Sequence, residues 1–62
     1  MSTLQFTILR NPKSTKTEDI EYWVYEEVIG ATERGNYIVV KTVHNPAIIP
    51  KYWVKEIKEI KS

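Results

Sequence analysis

Few residues in this 62-residue chain could do covalent or metal chemistry: one histidine (His44), one aspartate (Asp19), seven glutamates and no cysteine. A catalytic nucleophile needs a base beside it and usually a third group to orient that base, and the inventory does not supply such a set. His44 precedes Asn45-Pro46 and reads as a solvated or core-edge histidine at a strand end. Glu26 and Glu27 are sequence neighbours, so on a regular strand they point to opposite faces and cannot form a carboxylate dyad. Zinc held by thiolates is excluded, the remaining carboxylates are scattered, and two glycines make no phosphate-cradling loop. The expectation is a binding protein without cofactor or metal, and not an enzyme.

What remains is aromatic. Two tryptophans and four tyrosines are many for this length. In Tyr22-Trp23-Val24-Tyr25 an extended backbone puts Trp23 and Tyr25 on one face and Tyr22 and Val24 on the other. One pair is expected to face outward, where it is either covered by another element or serves an interface. A chain this short buries only about 60% of the surface its unfolded form exposes. With no disulfide available, oligomerisation is the remaining means of support. Self-association as a homodimer or higher assembly is therefore expected, with Tyr22, Trp23 and Tyr25 offering the dimer face.

Charge is distributed in stripes. Residues 1–16 carry Arg10, Lys13 and Lys16; residues 17–33 carry six acids and no base; residues 34–62 carry six bases against Glu56 and Glu59, for a net charge of +1. The alternative function, a small nucleic-acid-binding barrel, would use Arg10, Lys13 and Lys16 beside Tyr37, Tyr52 and Trp53. The acidic middle segment disfavours it, because it would repel a phosphate backbone. The lysines at 51, 55, 58 and 61 read as a solvated face. No signal sequence and no apolar run of membrane-spanning length is present, so the chain is read as cytoplasmic, without a membrane partner.

The elements that must position these residues follow from periodicity. Leu4-Gln5-Phe6-Thr7-Ile8 alternates with period two and reads as a half-buried strand that stops at Asn11-Pro12. Residues 11–19 form a polar loop. Residues 20–29 admit two readings: a helix, with Thr15 and Glu18 as a capping box, or a strand with Ile20, Tyr22, Val24 and Val28 on one face. The aromatic and β-branched run favours the strand. A loop of five or six residues bracketed by Gly30 and Gly35 leads into a strand beginning at Tyr37, and His44-Asn45-Pro46 breaks that strand. The tail from Pro50 reads as a helix, or as a 3₁₀ turn followed by a strand.

At the tail, Ile49-Pro50-Lys51-Tyr52-Trp53-Val54-Lys55-Glu56-Ile57 resembles the closing segment of Src-homology-3 domains. In that family an aliphatic residue, a proline, two variable positions, an aromatic and a valine make a 3₁₀ turn and the last strand of a five-stranded barrel. Glu18-Asp19-Ile20 resembles the family's acidic diverging turn, and Asn36-Tyr37-Ile38 is placed like its paired tryptophans. The family's N-terminal tyrosine motif is absent, and Lys13 and Lys16 stand in a loop that is acidic in the family. The resemblance implies a single all-β domain over residues 1–62, a small Src-homology-3-like barrel of about five short antiparallel strands with a 3₁₀ turn near Pro50. The alternative is an α+β fold with helices at 18–29 and 50–60. The resemblance further implies a protein-interaction module or small regulatory protein that binds another protein through an aromatic surface at Tyr37, Pro50 and Trp53; Tyr52, which stands where the family has a small polar residue, joins these as a candidate partner-binding residue.

Overall fold

A computed structural model describes residues 2–60; Met1, Lys61 and Ser62 lie outside the described residues, and with Lys61 the last member of the lysine series. Strands β1 (Ser2–Leu9), β2 (Ile20–Arg34), β3 (Tyr37–Thr42), β4 (Ala47–Pro50) and β5 (Val54–Ile60) form one sheet in the order β4-β3-β2-β1-β5. All neighbours are antiparallel. Two 3₁₀ turns, Thr17–Asp19 and Lys51–Trp53, precede β2 and β5. The fold is thus all-β, and both segments for which a helix was entertained, 18–29 and 50–60, are a 3₁₀ turn running into a strand. The β-branched and aromatic side chains from Ile20 onward lose too much rotamer freedom on a helix, and here the sheet gives them cross-strand partners instead.

Strand β2 is the spine, pairing with β1 over its first half and with β3 over its second. Two register shifts flank Val28. Val28 and Tyr25 oppose Ser2 and Leu4, so β2 carries one extra residue there; Val28 and Gly30 oppose Thr42 and Lys41, which adds another. Glu27, inside the first irregularity, adopts φ 55°, a left-handed conformation uncommon for a residue with a side chain. Such bulges sharpen twist and bend a strand, and this pair lets the sheet curl over itself while its edges, β4 and β5, stay unpaired with one another. The body is 34 × 28 × 15 Å, thick enough for two sheet layers about 10 Å apart.

The bulge also corrects a face assignment. Ile20, Tyr22, Val24 and Val28 would share one face on a regular strand, but Tyr22 and Val24 are exposed while Val28 is buried. The extra residue between Tyr25 and Val28 reverses the parity. Between the curled halves lie Phe6 and Ile8 of β1, Val28 of β2, Ile38 and Val40 of β3 and Ile49 of β4. Leu4, Trp23, Tyr25, Ala47, Trp53 and Val54 pack around this cluster. Tyr25 meets Phe6 edge-on, with ring centroids 5.7 Å apart. Partial burial pushes the Tyr25 phenol above the ordinary tyrosine value of 10.0, because the phenolate would lose hydration.

The β2–β3 hairpin is tighter than its bracketing glycines suggested. Strand β2 continues through Gly30 to Arg34, and only Gly35 and Asn36 remain as the turn. Gly35 has φ 58°, the positive angle that a two-residue hairpin requires at its first position. Among the described residues, no helix is long and apolar enough to cross a membrane.

Two outcomes follow. Gly35→Ala should destabilise the fold by about 1 kcal/mol, because alanine resists positive φ. Gly30→Ala should be neutral or mildly stabilising, since its added Cβ meets nothing within 4 Å and its φ is not left-handed. Urea unfolding of both variants checks the contrast, and equal losses would contradict it. For Tyr25, the folded chain holds the phenolic proton more tightly than the unfolded chain. Its contribution is complete below pH 10 and is lost as pH rises through the raised folded value. Tyr25→Phe should therefore lose less stability than the wild type between about pH 8 and about pH 11, and urea unfolding at the two pH values checks it; equal losses in both proteins would contradict the burial argument.

Candidate functional site

The aromatic side chains gather at one end of the curled sheet because three short elements meet there: the end of β1, the start of β2 and the 3₁₀ turn before β5. Pro50 fixes the entry to that turn, and the Lys51 N–H donates to the Asn36 carbonyl at 2.8 Å, tying the turn to the β2–β3 hairpin. Tyr37, the first residue of β3, pairs across the ladder with Pro50. Tyr37 and Tyr52, with Asn36 and Lys51, line an open cleft of about 460 Å³. Both tyrosines are largely exposed, at 51% and 63%.

From Tyr52 the rings continue inward. Tyr52 meets Trp53 edge-on at 6.0 Å, and Trp53 meets Trp23 edge-on at 6.2 Å. The Arg10 guanidinium lies 5.6 Å from the Trp23 ring centroid and 5.7 Å from that of Trp53, so one cation serves both π faces. Glu21 holds it there from the other side. Its two oxygens accept from Arg10 Nε at 2.9 Å and from Nη2 at 3.1 Å, and Oε1 also accepts from the Trp23 indole N–H at 3.4 Å. The result is a continuous surface from Tyr37 through Tyr52 and Trp53 to Trp23, closed at its inner end by a paired charge.

The loop between β1 and β2 shapes the rim. The Asn11 side chain accepts from the Lys13 N–H at 3.1 Å and its carbonyl accepts from the Ser14 N–H at 3.0 Å, making a tight turn just past Arg10. The Ser14 hydroxyl donates to Asp19, and the Lys16 N–H donates to the Ser14 hydroxyl oxygen at 3.3 Å. Beyond this turn, Arg10, Asn11, Glu18, Asp19 and Glu21 line a second cleft of about 390 Å³.

Of the residues proposed from sequence for partner binding, the structure brings Tyr37, Pro50, Tyr52 and Trp53 onto one surface. The three offered as a dimer face divide. Tyr22 points outward and is 63% exposed, whereas Trp23 and Tyr25 are half-buried on the opposite face against the core. Period-two alternation along the strand separates them. Arg10, the first of the three suggested phosphate contacts, is committed to Glu21 and the indoles. Lys13 and Lys16 are exposed on the loop that also carries Glu18 and Asp19.

Glu21 was missed as a site residue. Its signal is the pair of opposite charges at the two ends of the β1–β2 connection: Arg10 follows β1 and Glu21 is the second residue of β2, and the register that sets Glu21 opposite Ile8 leaves Arg10 two residues further along the chain, within diagonal reach for a long side chain. At the far end of the sheet, His44 Nε2 stands 3.0 Å from Glu27 Oε2 beside a cleft of about 630 Å³, and both side chains are solvated. Glu26 and Glu27 are both exposed at the bulge. Among the described residues, no group of three or more histidine, cysteine or acidic side chains is placed to hold a metal ion. No family model, curated protein or solved structure matches the chain.

The double indole contact gives Arg10 a role that charge alone would not. Arg10→Ala should lower the unfolding free energy by about 1 kcal/mol, combining a partly exposed cation–π contact with a surface ion pair. Most of that loss should persist in ~1 M salt, which screens the Glu21 pair and leaves the stacking. A loss that disappears at high salt would mean that the guanidinium acts through its charge only.

Proposed function

We propose that this domain is a non-enzymatic protein-interaction module, or a small regulatory protein, that captures a segment of another protein along Tyr37, Pro50, Tyr52 and Trp53. The observation that carries the reading is the continuous aromatic surface. Four rings from three separate elements line up, and two of them remain exposed although the fold has a core elsewhere. Exposed tyrosine and tryptophan give a large, stiff contact area at low conformational cost, which is why they recur at interface centres. The 3₁₀ turn set directly before the last of five antiparallel strands supports the resemblance to Src-homology-3 domains. In such a surface, flat aromatic walls suit an extended, pre-stiffened peptide better than a globular face.

Charge supports the same choice over nucleic acid. The cation nearest the rings is neutralised by Glu21, and Glu18 and Asp19 occupy the adjoining rim. The absence of cysteine supports a reducing, cytoplasmic setting.

The test is capture of a partner from the native host by the wild-type domain, followed by the same measurement on single variants. Tyr52→Ala and Trp53→Ala should each weaken binding by about 2 kcal/mol or more, with little dependence on salt. Tyr22→Ala, on the opposite face, should bind as the wild type does. Tight binding to random single-stranded oligonucleotides that falls steeply with salt, and that is lost on replacing Lys13 and Lys16, would reverse the assignment.

A further inference from the structure

Strand β5 stands at one edge of the sheet and, among the described residues, pairs only with β1. From Lys55 to Glu59 every residue is exposed, Ile57 among them at 47%. Among the described residues, Lys55, Glu56, Lys58 and Glu59 enter no salt bridge, and no side-chain hydrogen bond engages any residue of β5. An edge with free backbone donors and acceptors is a template for another strand.

The sequence of this edge, Val54-Lys55-Glu56-Ile57-Lys58-Glu59-Ile60, is its own complement when reversed. If two copies pair antiparallel about a two-fold axis through Ile57, Ile57 meets Ile57 of the second copy. Glu56 then meets Lys58, Lys55 meets Glu59 and Val54 meets Ile60, each pair occurring twice. The two-fold axis must stand perpendicular to the sheet, so paired residues point to the same face and only registers that slip by whole two-residue steps are allowed. The neighbouring allowed registers centre on Glu56 or on Lys58. They oppose two glutamates or two lysines at the axis and set Ile57 against a charge. Parallel pairing in register would oppose every like charge. Of this set, only the register centred on Ile57 sets unlike charges opposite one another on both sides of the axis and isoleucine against isoleucine at it.

We infer that β5 is a homodimerisation edge: a second copy of this chain adds its own β5 antiparallel, centred on Ile57, to join two five-stranded sheets into one. The bulge in β5, where Val54 and Glu56 oppose Ile8 and Thr7, limits the regular ladder to Glu56, Ile57 and Lys58 of each copy. Lys55 and Glu59 then meet through their long side chains at the two ends. The interface lies on a different element from the aromatic surface, so neither assignment depends on the other.

Charge reversal tests this without disturbing the core, because both positions are exposed. Sedimentation equilibrium at low ionic strength should show a dimer for the wild type. Glu56→Lys opposes lysine to lysine and Lys58→Glu opposes glutamate to glutamate, so each variant alone should dimerise roughly tenfold more weakly or worse. The double variant E56K/K58E restores opposite charges and should dimerise like the wild type. An equimolar mixture of the two single variants should form a heterodimer, which also shows that both are folded. A wild type that stays monomeric at millimolar concentration would overturn the inference. So would a dimer that survives both single reversals, or single variants whose mixture gains nothing.

Discussion

One strand does the work of two. With fifteen residues, β2 is paired on its first half to β1 and on its second half to β3, so nothing on either side of the sheet can be placed until β2 has bent. The bend is local. Two extra residues flank Val28, and Glu27 takes a left-handed backbone angle that its side chain resists. That cost is met by what the bend brings together, since Phe6 and Ile8 from one half would otherwise never reach Ile38, Val40 and Ile49 from the other. Glu27 is also braced where it stands, by the Val43 N–H donating to its carbonyl at 3.1 Å and by the His44 imidazole at its carboxylate.

The aromatic surface is a consequence of the same bend. Curling the sheet opens a mouth at the end where β1 finishes and β5 begins, and the rings there cannot all be covered by so small a core. Trp23 and Trp53 are satisfied halfway, resting on the cluster below and on one another, with Arg10 over both. Tyr52 and Tyr37 are left outside. Glu21 is what makes the arrangement electrically closed. It neutralises the guanidinium and takes the Trp23 N–H, so a partner laid across the rings meets a polarised apolar surface and no unpaired cation at its inner end.

Much of this was legible from the residues, and the parts that were not share a cause. The aromatic and β-branched run Tyr37-Ile38-Val39-Val40 identifies β3 by strand propensity, and the alternation around Phe6 identifies β1, because a half-buried strand imposes a period of two. From Pro50 onward the periodicity leaves a helix and a strand both open, and it is the resemblance of Ile49–Ile57 to the closing segment of Src-homology-3 domains that implies the 3₁₀ turn and β5. The faces of β2 were not legible past Tyr25. The first bulge inserts a residue between Tyr25 and Val28 with no glycine or proline to mark it, and Glu27 is an unexpected carrier of positive φ. The two-residue turn at Gly35-Asn36 was obscured by Gly30, which lies inside β2 at its second register shift and outside the turn. Glu21 escaped because its importance comes from Arg10, eleven positions away, and only the pairing of β1 with β2 brings them together.

An open sheet has to answer for its two edges, and this one treats them differently. Strand β4 is four residues long, follows Pro46 and ends on Pro50, which has no N–H to offer, so little template remains there even though Ile48 is 64% exposed. Strand β5 is longer and has no proline. Its protection is a repeating lysine–glutamate pattern, which makes almost every approach of another strand a meeting of like charges or of charge with isoleucine. That device is usually seen as simple repulsion of neighbours. On β5 the order of the charges matters as well as their number, because reversal about Ile57 turns each lysine onto a glutamate. An edge built this way rejects slipped and parallel pairings and leaves one geometry free of conflict, so the feature that guards the sheet against aggregation also specifies the one partner strand that fits.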